Sequence, residues 1–275
     1  MKKIFKTIAP ILLAVLVLAG GAGIWAWQTN ARHEDVDGKL QLHFIDVGQG
    51  DAALLILPTG ERIMIDTGTR ESGEAILSHL AKWEVGALDL VILSHPHEDH
   101  AGGLPVLADA MPIGGVLYTG EAPADCGIPM RSVTAGYSFS VGEVHFSVIG
   151  PLSEQGSENR SMILRIDYGV RSFLFTGDAE AKEEELLLAT NPALLKADLL
   201  KVAHHGAATS STEAFLLAVS PTAAVISASA DNSFGHPAPE VLRNLNALGC
   251  SVYRTDRSGT LLFHCDGVNL TRYIP

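Results

Sequence analysis

The run Ser94-His95-Pro96-His97-Glu98-Asp99-His100 sets four potential metal ligands, His95, His97, Asp99 and His100, within six residues. Imidazole and carboxylate suit zinc, manganese or iron. An apolar, strand-like stretch over 88–93 precedes the run, so a strand end and a tight loop would present these side chains together. His95 and His97 alternate by two and would share one side of an extended segment. Asp99 and His100 lie just beyond and would face a second ion. A merely solvated polar loop seldom has the order His-x-His-x-Asp-His, so the segment is read as metal-binding.

Such a loop cannot encircle two ions alone, and later strand ends offer the remainder. Phe173-Leu174-Phe175-Thr176-Gly177-Asp178 is an apolar strand closed by a carboxylate. Leu199-Leu200-Lys201-Val202-Ala203-His204-His205-Gly206 is another, closed by two histidines. Asn232-Ser233-Phe234-Gly235-His236-Pro237 puts one more histidine in a turn. Six of the eleven histidines sit in these motifs, at the strand ends where open α/β sheets gather their sites. The combined pattern points to one or two divalent ions, zinc or manganese.

Asp46-Val47-Gly48-Gln49-Gly50-Asp51, Ile65-Asp66-Thr67-Gly68, the segment 94–103, Thr176-Gly177-Asp178 and the segment 201–206 occur in an order that resembles the metallo-β-lactamase-fold hydrolases. Within that group the chain is most similar to the ComEC-type branch of competence DNA-uptake proteins, here as a stand-alone relative. Gly235-His236-Pro237 and the segment 253–259 share in the likeness, which covers about residues 40 to 270. The resemblance implies that His95 and His97 hold a first metal. Asp99, His100 and one of His204 or His205 would hold a second, with Asp178 bridging. Asp66 would orient a ligand imidazole, or simply form the turn before Thr67-Gly68. The third first-site histidine usual in such hydrolases has no counterpart. His145 reads as mid-strand, and Asn159 stands where that ligand is expected. An amide oxygen is the weaker ligand, so the first site should bind less tightly or prefer manganese.

This chemistry is metal-assisted hydrolysis of a phosphodiester, in which Asp99 and the ions act on water. His236 would protonate the leaving alkoxide as general acid, unless it is only a turn residue before Pro237. Arg160, Ser161 and Lys201 are candidate phosphate contacts, with solvated side chains as the alternative. A net charge of −12 disfavours tight duplex binding, because phosphate contacts dominate nucleic-acid affinity. A local cationic lip of Arg160, Lys201, Arg254 and Arg257 would suffice for single-stranded DNA or a small phosphodiester. Other readings are a cell-wall phosphoryl esterase and a non-hydrolytic, metal-binding component of a DNA-uptake or envelope complex, with a channel as partner. The residues carry no pattern that sets an oligomeric state.

The elements that must position these residues alternate between strand and helix. Strands are expected over 40–46, 52–57, 62–66, 88–93, 115–118, 143–149, 161–168 and 170–175, and helices over 72–82, 181–189, 212–218 and 239–248. In the first helix, Ile76, Leu77, Leu80 and Trp83 are spaced for one buried face. Two strand-rich halves flanked by helices agree with the α/β class and the αββα sandwich of two mixed sheets that the resemblance implies. Residues 39–275 suffice for one such domain.

Residues 28–38 read as a tether, and 1–27 as a membrane anchor or signal peptide. Lys2, Lys3 and Lys6 precede an uncharged run over 8–27, long enough for roughly 30 Å of hydrocarbon. Trp25 and Trp27 read as interfacial anchors. The expectation is a single-pass membrane protein with its catalytic domain outside the cytoplasm. A secreted protein cleaved after Ala31 is the alternative. Three cysteines are too few for a disulfide scaffold. A hairpin of 251–254 with 260–264 would nevertheless set Cys250 opposite Cys265, within disulfide reach.

Overall fold

Along the most buried strands, such as Ala52–Ile56 and Arg171–Phe175, apolar side chains point to both faces, so each sheet must be covered on both sides there. In the computed structural model, which describes residues 38–152 and 160–274, the elements run β1 (Leu40–Phe44), β2 (Ala52–Ile56), β3 (Arg62–Thr67), α1 (Gly73–Lys82), β4 (Leu90–Leu93), α2 (Glu98–Ala101), α3 (Leu104–Ala110), β5 (Val116–Tyr118), β6 (Met130–Ser132), β7 (Ser138–Val141) and β8 (Val144–Gly150). They continue with β9 (Ile163–Tyr168), β10 (Arg171–Phe175), α4 (Ala181–Thr190), β11 (Leu199–Lys201), α5 (Glu213–Val219), β12 (Ala223–Ile226), α6 (Pro239–Ala247), β13 (Ser251–Arg254), α7 (Thr255–Ser258), β14 (Leu261–Cys265) and β15 (Leu270–Tyr273). The strands and helices expected between 40 and 248 are met with ends displaced by at most two residues. The single-turn α2, α3, β6, β7, β12, α7 and β15 are additions, because short elements carry too few residues for a period to show.

Eight strands form one sheet in the order β15-β14-β1-β2-β3-β4-β5-β6, and seven form the other, β13-β12-β11-β10-β9-β8-β7. Both are mixed: β3 to β6 run parallel, as do β10 to β13. Leu42 and Phe44 from the first sheet meet Phe146, Phe173 and Phe175 from the second in the layer between them. The Phe44 ring stacks on Phe175 at 5.7 Å. Alternate residues of the second sheet, Leu174, Leu200, Ala224 and Ile226, turn outward to Leu187 of α4, Phe215 and Leu216 of α5 and Leu245 of α6. Ile76 and Leu80 bury the face of α1, with Leu77 and Trp83 at its half-buried margin. Full burial of one Leu or Phe stabilises by roughly 1.5–3 kcal/mol, so these two layers dominate the hold on the αββα sandwich.

Two expectations are corrected. The 251–254 and 260–264 segments are strands but not a hairpin: β13 pairs with β12 in the seven-stranded sheet, and β14 pairs with β1 in the other. The turn of α7 carries the chain across, and Cys250 and Cys265 are free buried thiols. The single-pass membrane reading is also overturned. Among the described residues no helix is long and apolar enough to cross a membrane. The run 8–27 and the tether to residue 37 lie outside the described residues, as does Asn159.

Candidate metal centre

The ligand candidates converge at the C-terminal ends of the parallel strands. β4 ends at Leu93, the chain bends at Ser94 and Pro96, and Glu98–Ala101 close one helical turn after an extended His97. The His95 and His97 rings come to 4.5 Å, on one side as their spacing predicts. The turn of α2 then redirects Asp99 and His100, and the His100 ring lies 4.1 Å from that of His95. Asp178 arrives from the end of β10. Its approach needs Gly177, where a Cβ would meet Ser94 Cβ and Ser161 Cβ at 2.8 Å each. His204 and His205 lie in the turn Ala203–Gly206 after β11, both with left-handed backbone at φ 50° and 54°. Asp66, the penultimate residue of β3, is left-handed as well, at φ 55°. Such conformations cost about 1–3 kcal/mol each and persist where the surroundings impose them.

Among the described residues three groups of ligand atoms are each drawn together within 4.8 Å: His95, His97 and Asp178; Asp99, His100, Asp178 and His205; and the buried Asp51, Asp66 and His100. Asp178 belongs to the first two. His100 Nε2 is 3.1 Å from Asp178 Oδ1, and His205 Nε2 is 3.1 Å from Asp99 Oδ2. His95 Nε2 and His204 Nε2 each lie 3.7 Å from Asp178 Oδ2. His205, not His204, thus joins the second group, while His204 faces the oxygen that His95 faces. His97 is exposed and Asp99 half-buried, so the centre opens on their side. A surface hollow of about 420 Å³ adjoins it, lined by His97, Glu98, Arg70 and Glu121 among others.

The surroundings fix these rings. Ser94 donates its N–H to Asp66 Oδ1 at 2.7 Å and its hydroxyl to Oδ2 at 2.8 Å. His100 Nδ1 donates to Asp66 Oδ2 at 2.9 Å, which turns Nε2 toward Asp178. From within β3, Asp66 therefore orients the imidazole of the candidate ligand His100. His205 Nδ1 donates to the Ser227 carbonyl at 3.0 Å, aiming Nε2 at Asp99. Ser161 is buried; its Oγ accepts the Asp178 N–H at 2.8 Å and meets His95 Nδ1 at 3.2 Å. It braces two candidate ligands and, being fully buried, is not placed as a phosphate contact.

Lys201 is likewise withdrawn from the role of phosphate contact. It is buried with Nζ 2.7 Å from Asp51 Oδ2. Arg254 is engaged by Asp256 at 2.9 Å. Of the expected cationic lip, Arg257 is exposed and Arg160 half-buried. His145 pairs with Ser140 on the surface, on β8 and away from these groups. His236 is half-buried, its ring 5.7 Å from that of His204. Burial, and then His204 and His205, lower its pKa.

Asp51 and Ser94 escaped the sequence-based choice of site residues, although both sit inside the quoted motifs. Their signal was position: Asp51 follows Gly50, where a Cβ would fall 2.6 Å from the Asp99 carbonyl oxygen. The Asp51 N–H donates to that same oxygen at 3.0 Å, locking the glycine-rich turn onto the ligand loop.

The donor set fits divalent cations. His95 Nε2, His100 Nε2 and Asp178 Oδ1 are buried without a hydrogen-bond partner and converge. Four carboxylates, Asp51, Asp66, Asp99 and Asp178, crowd the same volume, and the field favours positive charge. Burial opposes protonation of His205, yet the hydrogen bonds its ring donates to Asp51 and Asp99 push it up to about 9. His100 is held well above the usual histidine value by Asp178 and Asp66, again against burial. Burial, helped by His100, pushes His95 down to about 3. Burial would raise Asp178, but His100 holds it well below the carboxylate range.

The model of the metallo-beta-lactamase superfamily matches residues 45–230. "Recombination protein 2" of Haemophilus influenzae is 34% identical over 227 residues, covering 80% of this chain and 28% of that protein. "Competence protein ComA" of Neisseria gonorrhoeae is 31% identical over 260 residues, covering 90% and 37%. The chain thus spans about a third of the length of these relatives. Among solved structures, the metallo-beta-lactamase fold protein YhfI from Bacillus subtilis superposes with a TM-score of 0.58 at 12% identity, covering 82% of this chain and 99% of that one.

Proposed function

Because the chain belongs to the metallo-β-lactamase superfamily, as a ComEC-type relative, we propose that it is a metal-dependent phosphodiesterase acting on single-stranded nucleic acid or a small phosphodiester. The observation that carries this reading is the convergence of buried, unpartnered His and Asp donors on two adjacent positions that share Asp178. His95, His97 and Asp178 would hold a first ion, zinc or manganese, with His204 beside it. Asp99, His100, His205 and Asp178 would hold a second. Divalent ions there supply Lewis acidity and acidify water at neutral pH.

The chain's own residues do the rest. Asp66 and the Ser227 carbonyl fix the tautomers of His100 and His205 so that Nε2 faces inward. Asp99, half-buried on the open side, accepts a proton from attacking water. His236 stands beside His204, where its protonated ring would deliver a proton to the leaving oxygen; burial, and then His204 and His205, lower its pKa and so limit that charged form at neutral pH. The names of the relatives point to recombination and competence, which supports a nucleic-acid substrate and a larger uptake assembly with a channel as partner.

The test uses the full chain stripped with chelator and reloaded with manganese or zinc. It is assayed on bis(p-nitrophenyl)phosphate and on a single-stranded oligonucleotide, beside Asp99→Ala and Asp178→Ala. Metal-dependent turnover in the wild type, lost to background in both variants, is expected. Bound metal with no turnover of either substrate would replace this reading with that of a non-hydrolytic binding component.

A further inference from the structure

Beside the candidate metal centre an aromatic ring stands in water with no evident structural task. Among the described residues Phe234 is the aromatic side chain most open to solvent, 69% exposed against 40% for Tyr273. Its ring lies 5.6 Å from that of His236 with only 23° between planes. His236 in turn is 6.4 Å from His205, tilted by 29°. A row of roughly parallel rings therefore runs from a candidate ligand out to Phe234, whose solvent side is free.

The loop that carries it is built, not slack. Asn232 Oδ1 accepts the N–H of Phe234 at 3.2 Å and of His236 at 2.9 Å. Its Nδ2 donates to the carbonyls of Ser229 at 2.6 Å and His236 at 2.7 Å. The Ser229 N–H reaches Gln49 Oε1 at 3.2 Å, joining the loop to the glycine-rich turn of the site. An exposed Phe adds nothing to such a network.

We propose that Phe234 is a stacking platform for an unpaired nucleobase of the substrate, next to the bond that is cleaved. The inference rests on the phosphodiesterase reading and narrows its substrate to single-stranded nucleic acid. The charge argument agrees. A chain of net charge −12 gains little from phosphate attraction. Base–aromatic stacking needs no positive surface and tolerates any base. A paired base keeps its faces inside the helix, so a duplex would not use the platform.

The experiment measures binding by fluorescence anisotropy on the metal-loaded full chain, with phosphorothioate-linked probes so that cleavage does not consume them. The probes are a short labelled oligothymidylate and an abasic oligonucleotide of equal length. Oligothymidylate should bind more tightly. Phe234→Ala should weaken it about 5- to 100-fold, to the level of the abasic probe, while Phe234→Trp keeps the preference. Thermal melting checks that the exposed substitution leaves the fold intact. Equal binding of the two probes, no binding of either, or a preference that survives Phe234→Ala would overturn the proposal. Absence of hydrolysis in the separate turnover assay would remove the enzymatic reading while a base preference lost in Phe234→Ala still stood.

Discussion

At the scale of the residue, the centre depends on a pair that touches no substrate. Lys201 and Asp51 are 2.7 Å apart with side chains only 4% and 6% exposed. Asp51 also lies 3.4 Å from His205 Nδ1, so one carboxylate balances a buried ammonium and steadies a ligand histidine. Desolvation makes such a pair a modest net stabiliser, yet removal of one partner strands the other charge, at a cost of about 3–5 kcal/mol. Asp51→Asn should therefore lower stability by about that amount in denaturant unfolding. Asp51→Asn combined with Lys201→Met, which removes the stranded ammonium, should recover part of it. A single variant as stable as the wild type would show that Lys201 finds water or another acceptor.

At the scale of the element, the outer face of β1 is joined to α1 by histidines. His43 is buried, its Nδ1 is 2.9 Å from His79 Nε2, and its ring stands edge-on to Trp83 at 4.5 Å. Burial, then His79 and His264, hold His43 well below the usual histidine value. Burial and Lys82 push His79 down to about 4. Both pKa values are lower in the folded chain than in the unfolded one. The unfolded state therefore takes up the protons first as pH falls below about 6.5. The seam's contribution is complete above that pH and is lost progressively as pH falls toward the lowered folded values, about 4 for His79. Melting temperature should drop between pH 7 and pH 5, and His79→Gln should flatten that drop. Identical slopes in the two proteins would assign the acid sensitivity to other groups.

At the scale of the whole molecule, the candidate ligands straddle both sheets. His95, His97, Asp99 and His100 follow β4 of the eight-stranded sheet, whereas Asp178 and His205 follow β10 and β11 of the other. Ions held there would tie the two halves of the sandwich together and bind only the folded chain. At free metal 100 times the dissociation constant, that linkage stabilises by about 2.7 kcal/mol. For a domain of this size it should raise the melting temperature by about 5–10 °C. Calorimetry with and without manganese or zinc, and after chelation, reads the shift directly. No shift with either ion would count against the site.

Residue types and spacing alone determined the α/β class, the longer strands and helices from 40 to 248, and which motifs would meet. Periodicity is a local property, and His-x-His-x-Asp-His has few uses besides metal. What stayed hidden depends on long-range approach. That His205 rather than His204 joins the second group follows from two left-handed residues, a backbone state that identity does not display. Lys201 looked available as a cation until folding placed Asp51, 150 positions away in sequence, against it. The 251–254 and 260–264 segments looked like a hairpin because both are strand-like and close in the chain. Only the packed sandwich offered β12 and β1 as better partners, and it sent the two strands into different sheets.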